Sequence, residues 1–244
     1  MLRRLVNFLL LACFCCASLT AWAATPQPVG SAYKQRYVNL VAAASCLGVY
    51  LPEEGHEFDY LRSFGWEITS QRVTQGKVET NFAIAKNYFP EQKKQFYLVT
   101  FRGSASKKDW KLNLRTERVN YGGATLAEME RIAAQPLDKE QPAVHSGFNS
   151  YVQTVLRTAV IDESGQWQGV FHDTLSNPEA YLILTGHSLG GAVATLLGER
   201  LVSLGFPKDK FTVVSFGAPA IGNQAFADTY GTSINLVRLS LIHI

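Results

Sequence analysis

Two hydrophobic periods meet at one point of the chain. Leu182, Ile183 and Leu184 form a continuous apolar run, the pattern of a strand covered on both faces in a parallel sheet. Beyond Leu189, the apolar Val193, Leu196, Leu197, Leu201 and Leu204 recur three to four residues apart, which is the period of a helix. Residues 181–204 therefore predict a buried strand, a sharp turn on Gly186-His187-Ser188-Leu189-Gly190, and a helix. Upstream, residues 66–73, 80–88 and 95–102 read as strands, and the last two flank a loop at 90–94 as a hairpin or as near neighbours. Helices are predicted over 33–50, 149–160 and 222–230, a second apolar parallel strand over 211–216, and the start of another strand over 234–238. His172 falls in a loop between Trp167 and Pro178, and the proline-bearing stretch 25–31 carries no period.

At 244 residues with 47% hydrophobic content, the chain is large enough to bury a substantial core, and one domain is the default. The start modifies that picture. Arg3 and Arg4, an apolar stretch from Leu5 to Leu19, and small Ala21 and Ala23 around Trp22 have the layout of a cleavable export signal over residues 1–23. A membrane anchor is the competing reading, but the stretch is short for a span of about 20 residues. Lipidation at Cys13 ranks below cleavage, because an apolar stretch follows that cysteine where a polar tether is expected. The protein is thus expected in the periplasm or outside the cell. Removing Arg3 and Arg4 from 23 basic residues nearly balances the 20 acidic ones, so no nucleic-acid partner is indicated. Three of the four cysteines lie in the signal, which leaves Cys46, among small apolar neighbours, as a buried helix residue. No disulfide framework and no zinc spacing can be built. The acidic stretch around Glu53, Glu54, His56, Glu57 and Asp59 lacks ligand spacing and reads as a solvated loop; no metal or organic cofactor is expected.

The turn at Ser188 carries the chemistry. Gly186-His187-Ser188-Leu189-Gly190 has the G-x-S-x-G form. Between a strand and a helix, such a turn thrusts the serine hydroxyl out of the sheet top, and the flanking glycines remove side chains that would clash. The helix from Leu189 aims its N-terminus at that hydroxyl, so the Leu189 N–H can bind the oxyanion formed when a carbonyl is attacked. Without the flanking elements, the motif would mark an ordinary turn.

Four motifs then occur in a characteristic order: Phe101-Arg102-Gly103-Ser104 with Asp109-Trp110 soon after, His145-Ser146-Gly147-Phe148, Gly186 to Ala192, and Phe216 to Asn223. Together they resemble the fungal-type (class 3) lipases over roughly residues 82–236. The resemblance implies an α/β-hydrolase fold, a mostly parallel central sheet with helices on both faces, and hydrolysis of carboxylic esters, commonly of acylglycerols. It implies that Ser188 is the nucleophile, that Gly186, His187 and Gly190 form its elbow, and that backbone N–H groups of Ser104 and Leu189 make the oxyanion hole. Residues 105–114 occupy the place of a lid, where Trp110, Leu112 and Leu114 could cover the acyl site; a solvated surface helix is an equal reading. Asn113 stands where many relatives have Asp, and so polar a lid is expected to give weak activation at lipid interfaces. His145 precedes the serine, against the order Ser, Asp or Glu, His of α/β-hydrolases, and reads as a residue that sets the start of the next helix. A lipid or ester substrate and transient contact with a lipid interface are the partners implied. A phospholipase A1, a short-chain esterase and a non-catalytic lipid-binding relative are the alternatives.

The triad Asp and His that the resemblance requires are not found before the end of the chain. Asp209 and Asp228 come too early, and His243 too soon after the last strand. Residues 239–244, LSLIHI, are what CTGTCTCTTATACACATC encodes, the mosaic-end adapter of transposon-based libraries. The organisation expected is a signal over 1–23, a linker over 24–31, an α/β-hydrolase domain over 32–238 that is incomplete at its C-terminus, and a non-native tail over 239–244. The competing reading of LSLIHI is a genuine apolar strand end.

Overall fold

A computed structural model describes residues 31–50, 56, 58–75, 78–103 and 117–239, with backbone alone for 31–34. The expected signal, Ser104, the lid residues Trp110, Leu112 and Leu114, and residues 240–244 lie outside the described residues. Met1–Leu40 and Val41–Ile244 are two compact units. Described residues of the first belong to the opening of helix α1 (Ser31–Gly48), where Gln35 Nε2 donates to Asn39 Oδ1 over 2.8 Å.

In the second unit the elements follow as α2 (Asp59–Ser63), β1 (Glu67–Gln75), β2 (Val78–Phe89), β3 (Lys94–Phe101), β4 (Arg118–Asn120), α3 (Leu126–Ala133) and β5 (Ala143–His145). They continue with α4 (Ser146–Val155), α5 (Gly169–Ser176), β6 (Ala180–His187), α6 (Leu189–Ser203), β7 (Phe211–Phe216), α7 (Gln224–Tyr230) and β8 (Leu236–Leu239). Six strands share one sheet in the order β1-β2-β3-β6-β7-β8, and β4 pairs with β5 apart from it. β1, β2 and β3 pair antiparallel, whereas β3–β6, β6–β7 and β7–β8 are parallel. The expected hairpin is β2–β3, closed by a 3₁₀ turn at Pro90–Gln92. Parallel neighbours need crossovers, which the chain makes through its helices.

Alternation along β6 explains why its sequence is apolar throughout. Leu182 and Leu184 join Val99 and Phe101 in the cluster with Val193, Leu196 and Leu197 of α6 and Phe148 and Val152 of α4. The intervening positions face the second half of α1, where Thr100 Oγ1 donates to Ser45 Oγ over 2.8 Å and Cys46 Sγ lies 3.5 Å from Thr185 Oγ1. Leu182, Ile183 and Leu184 are all fully buried as a result, with helices on both faces of a mostly parallel sheet. This is the α/β-hydrolase architecture.

Three short elements in 117–145 have no counterpart in the sequence reading. β4 and β5 span three residues each, too few to show a period of two. Helix α3 does carry a capping box: Thr125 Oγ1 accepts from the Glu128 N–H at 3.3 Å, while Glu128 Oε2 accepts from the Ala124 N–H at 2.9 Å. His172 lies in helix α5 rather than in a loop. Two turns that bury only Phe171 and Thr174 give too little periodicity to register in the sequence.

Candidate active site

Strand β6 delivers Ser188 to the top of the sheet. The Ser188 N–H donates to the Phe216 carbonyl at 2.8 Å, which ties the turn to the end of β7. The chain then reverses into α6 at the cost of a positive dihedral, with Ser188 at φ 55° and ψ −125°. Such a conformation costs about 1–3 kcal/mol in a non-glycine residue and persists only where the surroundings impose it. Two glycines show how. A Cβ on Gly186 would lie 2.2 Å from the carbonyl carbon of Gly190, and a Cβ on Gly190 would lie 2.1 Å from the Phe101 carbonyl oxygen. Strand β6, the first turn of α6 and the end of β3 are thus in contact through bare backbone.

The half-exposed Ser188 therefore sits where β6 meets α6, and the Gly191 and Ala192 N–H groups donate back to its carbonyl at 3.0 and 3.2 Å. The Leu189 N–H lies in the first helical turn, where no intrahelical acceptor exists. Register brings the second strand end alongside: Phe101 pairs with Gly186, so that Gly103, two residues on, comes level with Ser188. Ser104 itself lies outside the described residues. Among the described residues, no imidazole or carboxylate is hydrogen-bonded to the Ser188 hydroxyl.

The histidines divide by role. His145 caps α4, with Nδ1 accepting from the Gly147 N–H at 3.1 Å and the ring stacked on Phe148 at 4.4 Å. It sets the start of that helix, as its sequence context implied. His187 is held by Tyr50, whose hydroxyl lies 3.3 Å from its Nδ1. Burial pushes the His187 imidazole below its ordinary value and favours the neutral ring. His56, in the acidic stretch, binds Asp59 at 2.7 Å in solvent. Among the described residues no three His, Cys, Asp or Glu side chains converge as metal ligands would.

Residues 98–244 match the family described as lipase (class 3). The chain belongs to the class 3 lipases. It is 29% identical over 162 residues to a secreted mono- and diacylglycerol lipase of Fusarium solani, covering 66% of this chain and 41% of that protein. It is 32% identical over 133 residues to a chloroplast phospholipase A1 of Arabidopsis thaliana, covering 53% and 28% of the two chains. The class 3 lipase described here thus spans less than half the length of these curated relatives. Among solved structures, lipase II from Rhizopus niveus superposes with a TM-score of 0.59 at 20% identity, covering 87% of this chain and 72% of that one. A triacylglycerol lipase whose catalytic centre is a serine-protease triad superposes with a TM-score of 0.61 at 21% identity, covering 88% and 73%. These likenesses show a shared fold, and the family match identifies a carboxylic ester hydrolase lineage.

Tyr50 is the residue at this site that sequence reasoning missed. Its only local signal is a position four residues after Cys46 at the end of a helix, and that spacing says nothing of a partner 137 residues away.

Proposed function

We propose that this protein is an exported serine hydrolase that cleaves carboxylic esters of lipids, in the manner of a triacylglycerol lipase. The observation that carries the proposal is Ser188 at positive φ between β6 and α6, with glycine backbone packed on both sides of the turn. In this reading the Ser188 hydroxyl attacks the ester carbonyl and gives up its proton to a base. The carbonyl oxygen gains negative charge and is held by the N–H groups of Leu189 and Ser104. Collapse expels the alcohol with a proton returned by the base, leaving an acyl-enzyme, and water repeats the sequence to release the acid. In the order Ser, Asp or Glu, His, the acid and base follow Ser188 along the chain. Export rests on residues 1–23, together with the similarity to the secreted lipase of Fusarium solani.

A fluorophosphonate probe applied to the protein expressed from its complete reading frame tests the assignment. Labelling at Ser188, lost together with ester turnover in Ser188→Ala, is expected. Turnover that survives in Ser188→Ala overturns the assignment, and absence of labelling in the unaltered protein moves the non-catalytic lipid-binding reading to the front. A second reading, phospholipase A1, is favoured by the Arabidopsis relative. Comparing trioctanoin, phosphatidylcholine and p-nitrophenyl butyrate as substrates separates lipase, phospholipase and short-chain esterase.

A further inference from the structure

Tyr50 stands two residues beyond the end of α1 and has no part in the reaction as written above. Its hydroxyl donates to the His187 carbonyl oxygen at 3.2 Å and lies 3.3 Å from Nδ1 of the same residue. The two rings meet edge to face, with centroids 5.8 Å apart at 70°. On its other side the hydroxyl lies against Gly103, where a Cβ would come within 2.1 Å of it and within 2.6 Å of the His187 carbonyl oxygen. One side chain therefore touches both the residue before the nucleophile and the residue before Ser104.

This position follows from the way α1 lies along β6. Cys46 on α1 and Tyr50 in the turn just past it are four residues apart, and since the Val49 N–H still bonds the Ser45 carbonyl at 3.0 Å the rise is about 6 Å at 1.5 Å per residue. Their partners Thr185 and His187 are two apart on the strand, about 6.6 Å at 3.3 Å per residue. The two repeats match, so the Cys46–Thr185 contact and the Ser45–Thr100 hydrogen bond fix the register that delivers Tyr50 to His187. Burial pushes the Tyr50 phenol upward, and it stays protonated at any physiological pH. A hydroxyl with one proton that donates to the His187 carbonyl has lone pairs left for the Nδ1–H of His187, and it lies close against Gly103.

We propose that Tyr50 is a positioning residue for ester cleavage: its hydroxyl clamps the His187 peptide and the Gly103 peptide together, and so holds the β3 and β6 ends at the separation that a shared oxyanion requires. The same clamp fixes His187 as its Nδ1–H tautomer. The inference rests on the serine-hydrolase reading and names a residue that reading does not use. If Tyr50 only filled space, phenylalanine would serve as well.

Tyr50→Phe in the protein expressed from its complete reading frame keeps the ring and removes the hydroxyl. The expected result is a drop of about tenfold in kcat and in the rate of fluorophosphonate labelling at Ser188, with KM changed by less than about twofold, since donors displaced from the oxyanion weaken the transition state more than the ground state. Rates equal to those of the unaltered protein overturn the proposal. A measurement that needs no variant guards against a Tyr50→Phe protein that fails to fold. ¹⁵N NMR of the unaltered protein should show His187 protonated on Nδ1 and bare on Nε2, and the opposite tautomer overturns the clamp. Absence of Ser188 labelling in the unaltered protein overturns the hydrolase reading, and the catalytic part of this inference with it, whatever the tautomer.

Discussion

Ser188 holds a conformation that costs free energy, and the residues around it show what imposes it. Among the described residues only Lys93 and Ser188 take a positive φ without being glycine. Lys93 does so at a hairpin turn, where Asn or Gly would be at home; Ser188 does so between a buried strand and a buried helix. Gly190 resists change because the atom facing its missing Cβ is the Phe101 carbonyl oxygen at the end of β3, not a side chain that can swing away. Gly190→Ala is expected to cost about 2–4 kcal/mol and lower Tm by about 5–15 °C. A melting curve that superposes on that of the parent would refute the close approach. The glycines were legible in the sequence because their spacing is local, two residues on either side of the serine, although the Phe101 carbonyl that faces Gly190 was not. Tyr50 was not, since its role depends on partners brought together from β3 and β6.

Helix α6 illustrates the same limit one scale up. Its apolar period and its boundaries were readable, yet two adjacent charged residues, Glu199 and Arg200, are buried in it. Arg200 donates to the Gly122 carbonyl at 2.8 Å, reaches Asn149 Oδ1 at 3.4 Å and lies 3.6 Å above the Tyr121 ring, although its Nε is buried without a hydrogen-bond partner among the described residues. Glu199 Oε1 is buried without a hydrogen-bond partner among the described residues, and the side chain lines a cleft of about 430 Å³ with Thr195, Ser215, Phe226 and Leu236. Burial raises its carboxyl to about 7 from an ordinary value of 4.5, although the neighbouring guanidinium pulls the other way. The folded protein therefore holds this proton where the unfolded chain has lost it, so stability should fall as pH rises from about 4.5 to about 7 and level off above. A shift of that size corresponds to a loss of about 3 kcal/mol. Glu199→Gln should flatten that part of the urea-denaturation pH profile. An identical profile in Glu199→Gln would assign the dependence to another group.

For the molecule as a whole, position in the sheet sets local stability. β6 lies between β3 and β7 and is covered on both faces, whereas β1 is an edge strand carrying exposed Glu67, Thr69, Ser70, Gln71 and Arg72. Polar edges of this kind discourage pairing with another chain. β8 spans four residues and, among the described residues, pairs only with β7. Native-state hydrogen exchange should place the amides of Leu182, Ile183 and Leu184 near the global unfolding limit, and those of β1 and β8 well below it. Amides in β8 as slow as those in β6 would contradict this ordering. Strand existence was legible for all six members of the main sheet, because each is long or apolar enough to show its pattern. The three-residue strands β4 and β5 carry no such pattern, and α5 was hidden by its two-turn length.

By itself the sequence determined what depends on neighbours along the chain. The shift of hydrophobic period across Ser188, the glycines on either side of it and the proline at the β2–β3 turn each restrict the backbone within a few residues, so each leaves a local mark. The four motifs together were enough to mark the family. Only the tertiary structure decided which groups meet across the fold: Phe101 opposite Gly186, Tyr50 on His187 and Gly103, and, among the described residues, Glu199 Oε1 buried without a hydrogen-bond partner while Arg200 reaches the Gly122 carbonyl. These contacts have no sequence signature because packing chooses partners by position in space, and a tyrosine at a helix end or a glutamate in an apolar run reads the same whether or not a partner is waiting for it.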